Sequence, residues 1–161
     1  MTAFPHLFHA THQTFSPGQT VQASSPTTFY PAVVQLLEAY RPGSLPSRSV
    51  CVFASDSKAG ATRYLQAQSQ SQLPMQVYQV EMKIGHRAPF RLIRELDIRL
   101  GAQRPITAVV AEYWMPRKNW AFWEVFGPAF TVIAQVQPAT LIEMSVFNLA
   151  YDKDLELGGS L

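Results

Sequence analysis

The sequence predicts an α+β domain, with short strands and helices interspersed rather than alternating strictly. Two small antiparallel sheets flanked by short helices are the expected arrangement. Three observations carry this. Strand-length β-branched and aromatic runs recur, as in "SVCVFAS" and "FTVIAQV". Apolar residues at helical spacing lie between them. Twelve prolines and eight glycines punctuate 161 residues too often for a helical bundle.

In order, residues 7–10 read as a short strand, ended by a polar segment over 11–22 with Pro17-Gly18 as a turn. In "SSPTTFYPAVVQLLEAYRPGS", Thr27 or Thr28 can cap a helix and Pro31 suits its first turn. Tyr30, Val33, Val34, Leu37 and Tyr40 share one face, and Pro42-Gly43 stops it. A strand over 49–55 leads to a helix capped by Asp56 or Ser57 and running through "KAGATRYLQAQSQ". "MQVYQVEMK" has strand propensity. "APFRLIRELDIRLG" is a helix with Phe90, Ile93, Leu96 or Asp97, and Leu100 inward, stopped at Gly101. "PITAVVAEYWM" fits a helix or a strand. A turn at Gly127-Pro128 precedes a strand over 130–136. "TLIEMSVFNLAY" reads as one more strand, and residues 152–161 as a mobile tail.

Composition bounds the function. Apolar residues at 47% and charged residues at 15% describe a globular chain, and its length suits a single domain over 1–161. No apolar run approaches the ~20 residues of a membrane span, so no membrane partner is expected. The start "MTAFPHLF" lacks a basic segment and a long apolar core, which predicts no signal peptide. The single cysteine, Cys51, excludes an intrachain disulfide and suits a reducing cytoplasm. The histidines lack metal-ligand spacing, so no metal is expected. A net charge of +2 does not imply a nucleic-acid partner. Arg87, Arg91, Arg94, Arg99 and Arg104 nevertheless cluster, either as a solvated helix face or toward an acidic partner. Neither GxGxxG nor GxxxxGK[ST] occurs, so Rossmann and P-loop sites lack support.

Three places can carry chemistry. His9, with Thr11 and His12, sits at a strand end in "LFHATHQT". "VCVFASDSKAGATRYL" is a strand and capped helix suited to a cleft wall. Glu124 stands among Phe122, Trp123 and Val125, where a carboxylate must reach solvent, find a partner, or have a raised pKa.

In this order and spacing the three segments resemble the ADP-ribosyltransferase superfamily of the histidine–tyrosine–glutamate type, over roughly residues 7–136. His9-Ala10-Thr11 matches its His-Gly-Thr-like strand end. Cys51-Val52-Phe53-Ala54-Ser55-Asp56-Ser57-Lys58-Ala59 and Tyr64 match its next strand and helix. Phe122-Trp123-Glu124-Val125-Phe126-Gly127-Pro128 matches its glutamate, turn and strand. Ala10 replaces a usual glycine, and Val52 stands where a stacking tyrosine is usual. Phe122 stands where arginine-modifying members carry a second glutamate, which leaves the acceptor open.

The resemblance implies a split NAD-binding cleft and mono-ADP-ribosyl transfer, with NAD as co-substrate and no metal. It implies a toxin or delivered effector, an antibiotic-modifying enzyme, or a phage or defence factor. Glu124 would stabilise an oxocarbenium-like transition state, and His9 would bond a ribose. Ala10 and Thr11 would hold the carboxamide, and Tyr64 would pack on the nicotinamide. Val52, Phe53 and Ser55 would complete the cofactor wall. Arginines among 87–104 would take the diphosphate or a nucleic-acid acceptor, none singled out. A relative that removes an RNA 2′-phosphate is disfavoured, because its arginines are unmatched. Glu112 is the rival carboxylate if residues 106–115 form a strand ending in the cleft. The alternative function is a non-catalytic module of the same fold that binds a nucleotide or a protein.

Overall fold

The computed structural model describes residues 2–24, 29–69, 71–157 and 161. Its elements are β1 (Thr2–Thr11), β2 (Thr20–Gln22), α1 (Pro31–Ala39), β3 (Val52–Ser55), α2 (Lys58–Gln68), β4 (Gln76–Pro89), α3 (Leu92–Gly101), α4 (Thr107–Trp114), β5 (Trp123–Gly127), β6 (Ala129–Val136) and α5 (Leu141–Leu157). The mixed α+β architecture with antiparallel strands is present, but the strands form one sheet rather than two, ordered β1-β3-β5-β4-β6-β2.

The reason lies in β4, whose 14 residues serve both halves. Its first part pairs with β1 and β6, and its last four residues pair with β5. β5 and β6 follow one another along β4, separated by Pro128, which has no N–H to give a ladder. At that break Gly127 lies so close to β4 that an added Cβ would overlap the Ile84 carbonyl oxygen. β3 pairs with β5 and, through the bridge Phe8↔Ser55, with β1, so that β1, β3, β5 and β4 close into a ring. Strand side chains alone, among them Leu7, Val52, Tyr78, Met82 and Phe130, make one core. A second core joins α1, α3 and α4 to the back of β5 through Leu37, Leu96, Trp114 and Phe126.

The ambiguous segment "PITAVVAEYWM" is helix α4, with Val109, Val110, Tyr113 and Trp114 buried on one face. Helix α1 starts at Pro31 after Tyr30, which has a φ of 50° and makes no side-chain cap. The suggested caps Thr27 and Thr28 lie outside the described residues. Ser57 caps α2, accepting from the Gly60 amide at 3.2 Å.

The last expected strand is instead helix α5. Thr140 accepts from the Glu143 amide at 3.1 Å, in the Thr-x-x-Glu pattern of a helix start. Phe147 and Tyr151, one turn apart, bury against Ala59 and Phe90. Residues 152–157 are therefore helix rather than tail. Asp154 is fully buried and accepts from the amides of Ala121 and Phe122 at 2.8 and 3.3 Å, tying α5 to the loop before β5. Leu161 is tied as well, its carbonyl accepting from Arg99 at 3.0 Å. Among the described residues no helix is long and apolar enough to cross a membrane.

Candidate functional site

Strand pairing brings distant residues together. Ser55 lies opposite Phe8 on one side and Glu124 on the other, so β1, β3 and β5 align His9, Phe53 and Glu124 at one end of the ring. Helix α2 leaves that end and carries Tyr64 back over it. A narrow groove of about 20 Å³ results, lined by His9, Ala10, Phe53, Ser55, Tyr64 and Glu124. It adjoins a larger cavity of about 350 Å³ that shares Tyr64, Phe90 and Glu124.

Six of the eight candidate residues thus meet in one groove. Val52 does not, because successive strand residues face opposite ways. It buries in the strand core beside Leu7 and Val80. The ring on the groove side is Phe53, which stacks on Tyr64 with centroids 5.9 Å apart. Thr11 is also absent from the groove; its hydroxyl accepts from the Gln13 amide at 3.0 Å and shapes the strand end. Ser55 lines the groove but also accepts from the Ser57 amide at 3.1 Å, setting up α2.

His9 is half-buried against Phe130, with ring centroids 4.8 Å apart. Its Nδ1 lies 2.7 Å from the Phe53 carbonyl oxygen. A carbonyl only accepts, so Nδ1 carries the proton and a neutral ring keeps its lone pair on Nε2. Burial lowers the His9 pKa below the ordinary histidine value, against the pull of that carbonyl. A histidine lowered in the folded state stabilises the fold above its unfolded pKa, and that contribution is lost as pH falls. Wild type is therefore expected to lose more stability than His9→Gln between about pH 6.5 and 5, measured as the difference in Tm. Parallel pH profiles would contradict a buried neutral imidazole.

Glu124 finds a partner that the sequence did not reveal. Its Oε1 accepts from the guanidinium of Arg48 and, at 2.6 Å, from the Tyr113 hydroxyl. Arg48 also donates to the Tyr113 oxygen at 2.8 Å and lies over the Phe53 ring at 4.6 Å. Arg48 and Glu124 are only 1% and 2% exposed. Burial pushes the Glu124 pKa up, while Arg48 and Tyr113 pull it down. Arg48 stays charged, because Glu124 and the surrounding phenols outweigh its desolvation. Arg48 stands in "SLPSRSVC", where no periodicity or motif marks it.

Glu112 is not in this site. It is buried on α4, and its Oε1 accepts from the amides of Arg117 and Lys118 and the Trp120 indole, each at 2.9 Å. Burial raises its pKa, but these donors outweigh it and hold the carboxyl below its ordinary value. It fastens the loop between α4 and β5. The arginine cluster divides: Arg99 pairs with Glu95 at 2.7 Å and Arg87 lies 4.1 Å over Trp123, whereas Arg91 and Arg94 both stay beside Tyr151.

The geometry offers a carboxylate fixed through one oxygen, a histidine acceptor and two aromatic rings around one groove. Such a set can steady a developing positive charge. The groove has room for little more than a water, so a flat, polar ligand fits only in the adjoining cavity of about 350 Å³ that shares Tyr64, Phe90 and Glu124. No family model matches this chain, and no curated protein matches it. Among the described residues no three histidine, cysteine or acidic side chains gather as a metal site needs.

Proposed function

We propose that this chain is an NAD-dependent mono-ADP-ribosyltransferase. The observation that carries this reading is the convergence of His9, Tyr64 and Glu124, from three separate segments, on one groove. In the reaction the bond between the nicotinamide nitrogen and the ribose C1′ breaks. The electron pair stays with the ring, which leaves as neutral nicotinamide, and the positive charge passes to the ribose. An acceptor nucleophile then bonds C1′ and gives up its proton. Glu124 stands to stabilise the ribose cation, with Arg48 and Tyr113 fixing its orientation. His9 offers Nε2 as acceptor to a ribose hydroxyl, and Phe53 with Tyr64 forms the flat wall.

Nicotinamide release from NAD, with and without a cell lysate, tests this. Glu124→Asp keeps the charge opposite Arg48 but withdraws the carboxylate, and is expected to lower turnover at least tenfold. Glu124→Gln is expected to cost about 10²–10³. Glu112→Gln is expected to leave the turnover of the folded fraction near wild type. Loss in Glu112→Gln with none in either Glu124 variant would overturn the assignment. A second reading, a non-catalytic nucleotide-binding module, draws on the two donors already holding Glu124 Oε1. No nicotinamide release from a wild-type protein that NAD still protects against heat would favour it.

A further inference from the structure

Helix α5 is apolar on two opposite faces. One face belongs to the fold: Phe147, Tyr151 and Asp154 are buried, and Asn148 at its edge accepts from the Arg63 guanidinium at 2.6 Å. The other face covers nothing. Ile142, Val146 and Leu149 are 77%, 63% and 67% exposed, and Leu141 beside them is 87% exposed. Among the described residues no other element leaves so many large apolar side chains in solvent. A single exposed leucine needs no explanation, but a continuous stripe does. Beside it runs a groove of about 400 Å³ between α5 and the start of α2, lined by Ala59, Phe122, Val146 and Ala150.

The spacing says what covers the stripe. Ile142, Val146, Leu149 and Lys153 follow one another at intervals of four, three and four residues, the repeat of a helix packed along another helix. The charges say which helix. Glu143 flanks the stripe near its start and Lys153 continues it at the other end. Glu143 lies 3.6 Å from Lys58 and keeps nearly half of its side chain exposed. Lys153 is exposed and makes no ion pair among the described residues. A second α5 lying in the opposite direction, with a two-fold axis level with Phe147 and Asn148, sets Val146 against Leu149. The same register lays the Lys153 stem over Ile142 of the second copy, with its ammonium at Glu143 of that copy. Parallel pairing would set Glu143 against Glu143 and Lys153 against Lys153.

We infer that α5 is a dimerisation helix, whose exposed stripe packs antiparallel on the same stripe of a second copy of this chain. The seam is short, running about 17 Å from Ile142 to Lys153 at about 1.5 Å per residue. A seam of that length makes a reversible dimer rather than a permanent one. Its charges set direction more than affinity. Dimerisation does not depend on the reaction proposed above, because the buried face of α5 adjoins the cavity at Tyr151 and the stripe does not.

Sedimentation equilibrium of the full chain over about a hundredfold range of concentration tests this, and wild type is expected to pass from monomer to dimer across it. Val146→Asp and Leu149→Asp alter exposed positions and leave the buried face of α5 alone. Each is expected to raise the dimer dissociation constant about tenfold or more, while the monomer keeps the circular dichroism of wild type. Glu143→Lys and Lys153→Glu are each expected to weaken the dimer at low salt. Their combination is expected to restore it, since antiparallel pairing then merely exchanges the two charges. A wild type that stays monomeric throughout, or a dimer indifferent to both aspartate substitutions, would overturn the proposal. So would a dimer that the combined exchange fails to restore. A monomer that binds anionic lipid vesicles through Leu149 would overturn it as well, and would give the stripe to a membrane surface.

Discussion

Arg48→Met is expected to lower the unfolding free energy at pH 7 by about 3–5 kcal/mol, because it leaves Glu124 buried without its counter-charge. The loss has a pH signature. A carboxylate stripped of its cation can protonate instead, and burial already favours the neutral form of Glu124. The raised folded-state pKa means that stability is present at low pH and lost as pH rises through that value. Acidification toward pH 5 is therefore expected to restore part of the Arg48→Met deficit. Glu124→Gln behaves differently. It strands an arginine that cannot shed its proton, so its deficit is expected to persist across the same range. The double variant is expected to be more stable than the sum of the single losses predicts, because neither charge is stranded. Urea unfolding at pH 7 and 5 checks all three. Single losses below about 1 kcal/mol that simply add would mean the pair is screened like a surface salt bridge.

This pair also changes how an inactive Glu124 variant must be judged. The buried Arg48 contact means that Glu124→Gln folds less stably than wild type. Turnover must therefore be measured on the folded fraction. Glu124→Asp is the more telling catalytic variant.

What the sequence could reveal follows from the range of the interactions. Local signals read well: Pro31 opening α1, Ser57 capping α2 and the β-branched run of β3; Gly127-Pro128, expected as a turn, is instead a break between two strands that run on in one direction along β4. The convergence of His9, Tyr64 and Glu124 was legible only as three weak segments in a suggestive order, and β-ring closure makes it spatial. Other features were written too faintly. "TLIEMSVFNLAY" has enough β-branched and aromatic residues to read as a strand, although its Thr140-x-x-Glu143 start and Phe147–Tyr151 spacing fit a helix. Arg48 and Arg63 were illegible, because each acquires its meaning from partners 76 and 85 residues away. No local rule distinguishes a cation bound for the core from one bound for solvent.

Gly127→Ala is expected to destabilise the fold by about 3 kcal/mol, the upper end for a forced methyl in a packed interior. The argument is spatial, not conformational. The new Cβ would strike the Ile84 carbonyl oxygen, a backbone atom of β4 that cannot rotate aside, and would sit 2.9 Å from the Met82 sulfur. Met82 can repack, but β4 cannot yield without shifting its ladder to β5. Glu124 stands three residues earlier on β5, paired with Ala88 of β4 and Ser55 of β3. Any displacement at Gly127 therefore reaches the groove through the strand itself. Reduced turnover is expected even in the folded fraction, together with a lower urea midpoint. Gly60→Ala offers the contrast. Its Cβ would meet the Ser55 hydroxyl at 2.6 Å and the Phe147 ring edge at 3.4 Å, both side-chain atoms able to give way. It is expected to cost less than Gly127→Ala. A Gly127→Ala loss under about 1 kcal/mol would show that β5 can lift from β4, and with it the carboxylate that this crossing holds in place.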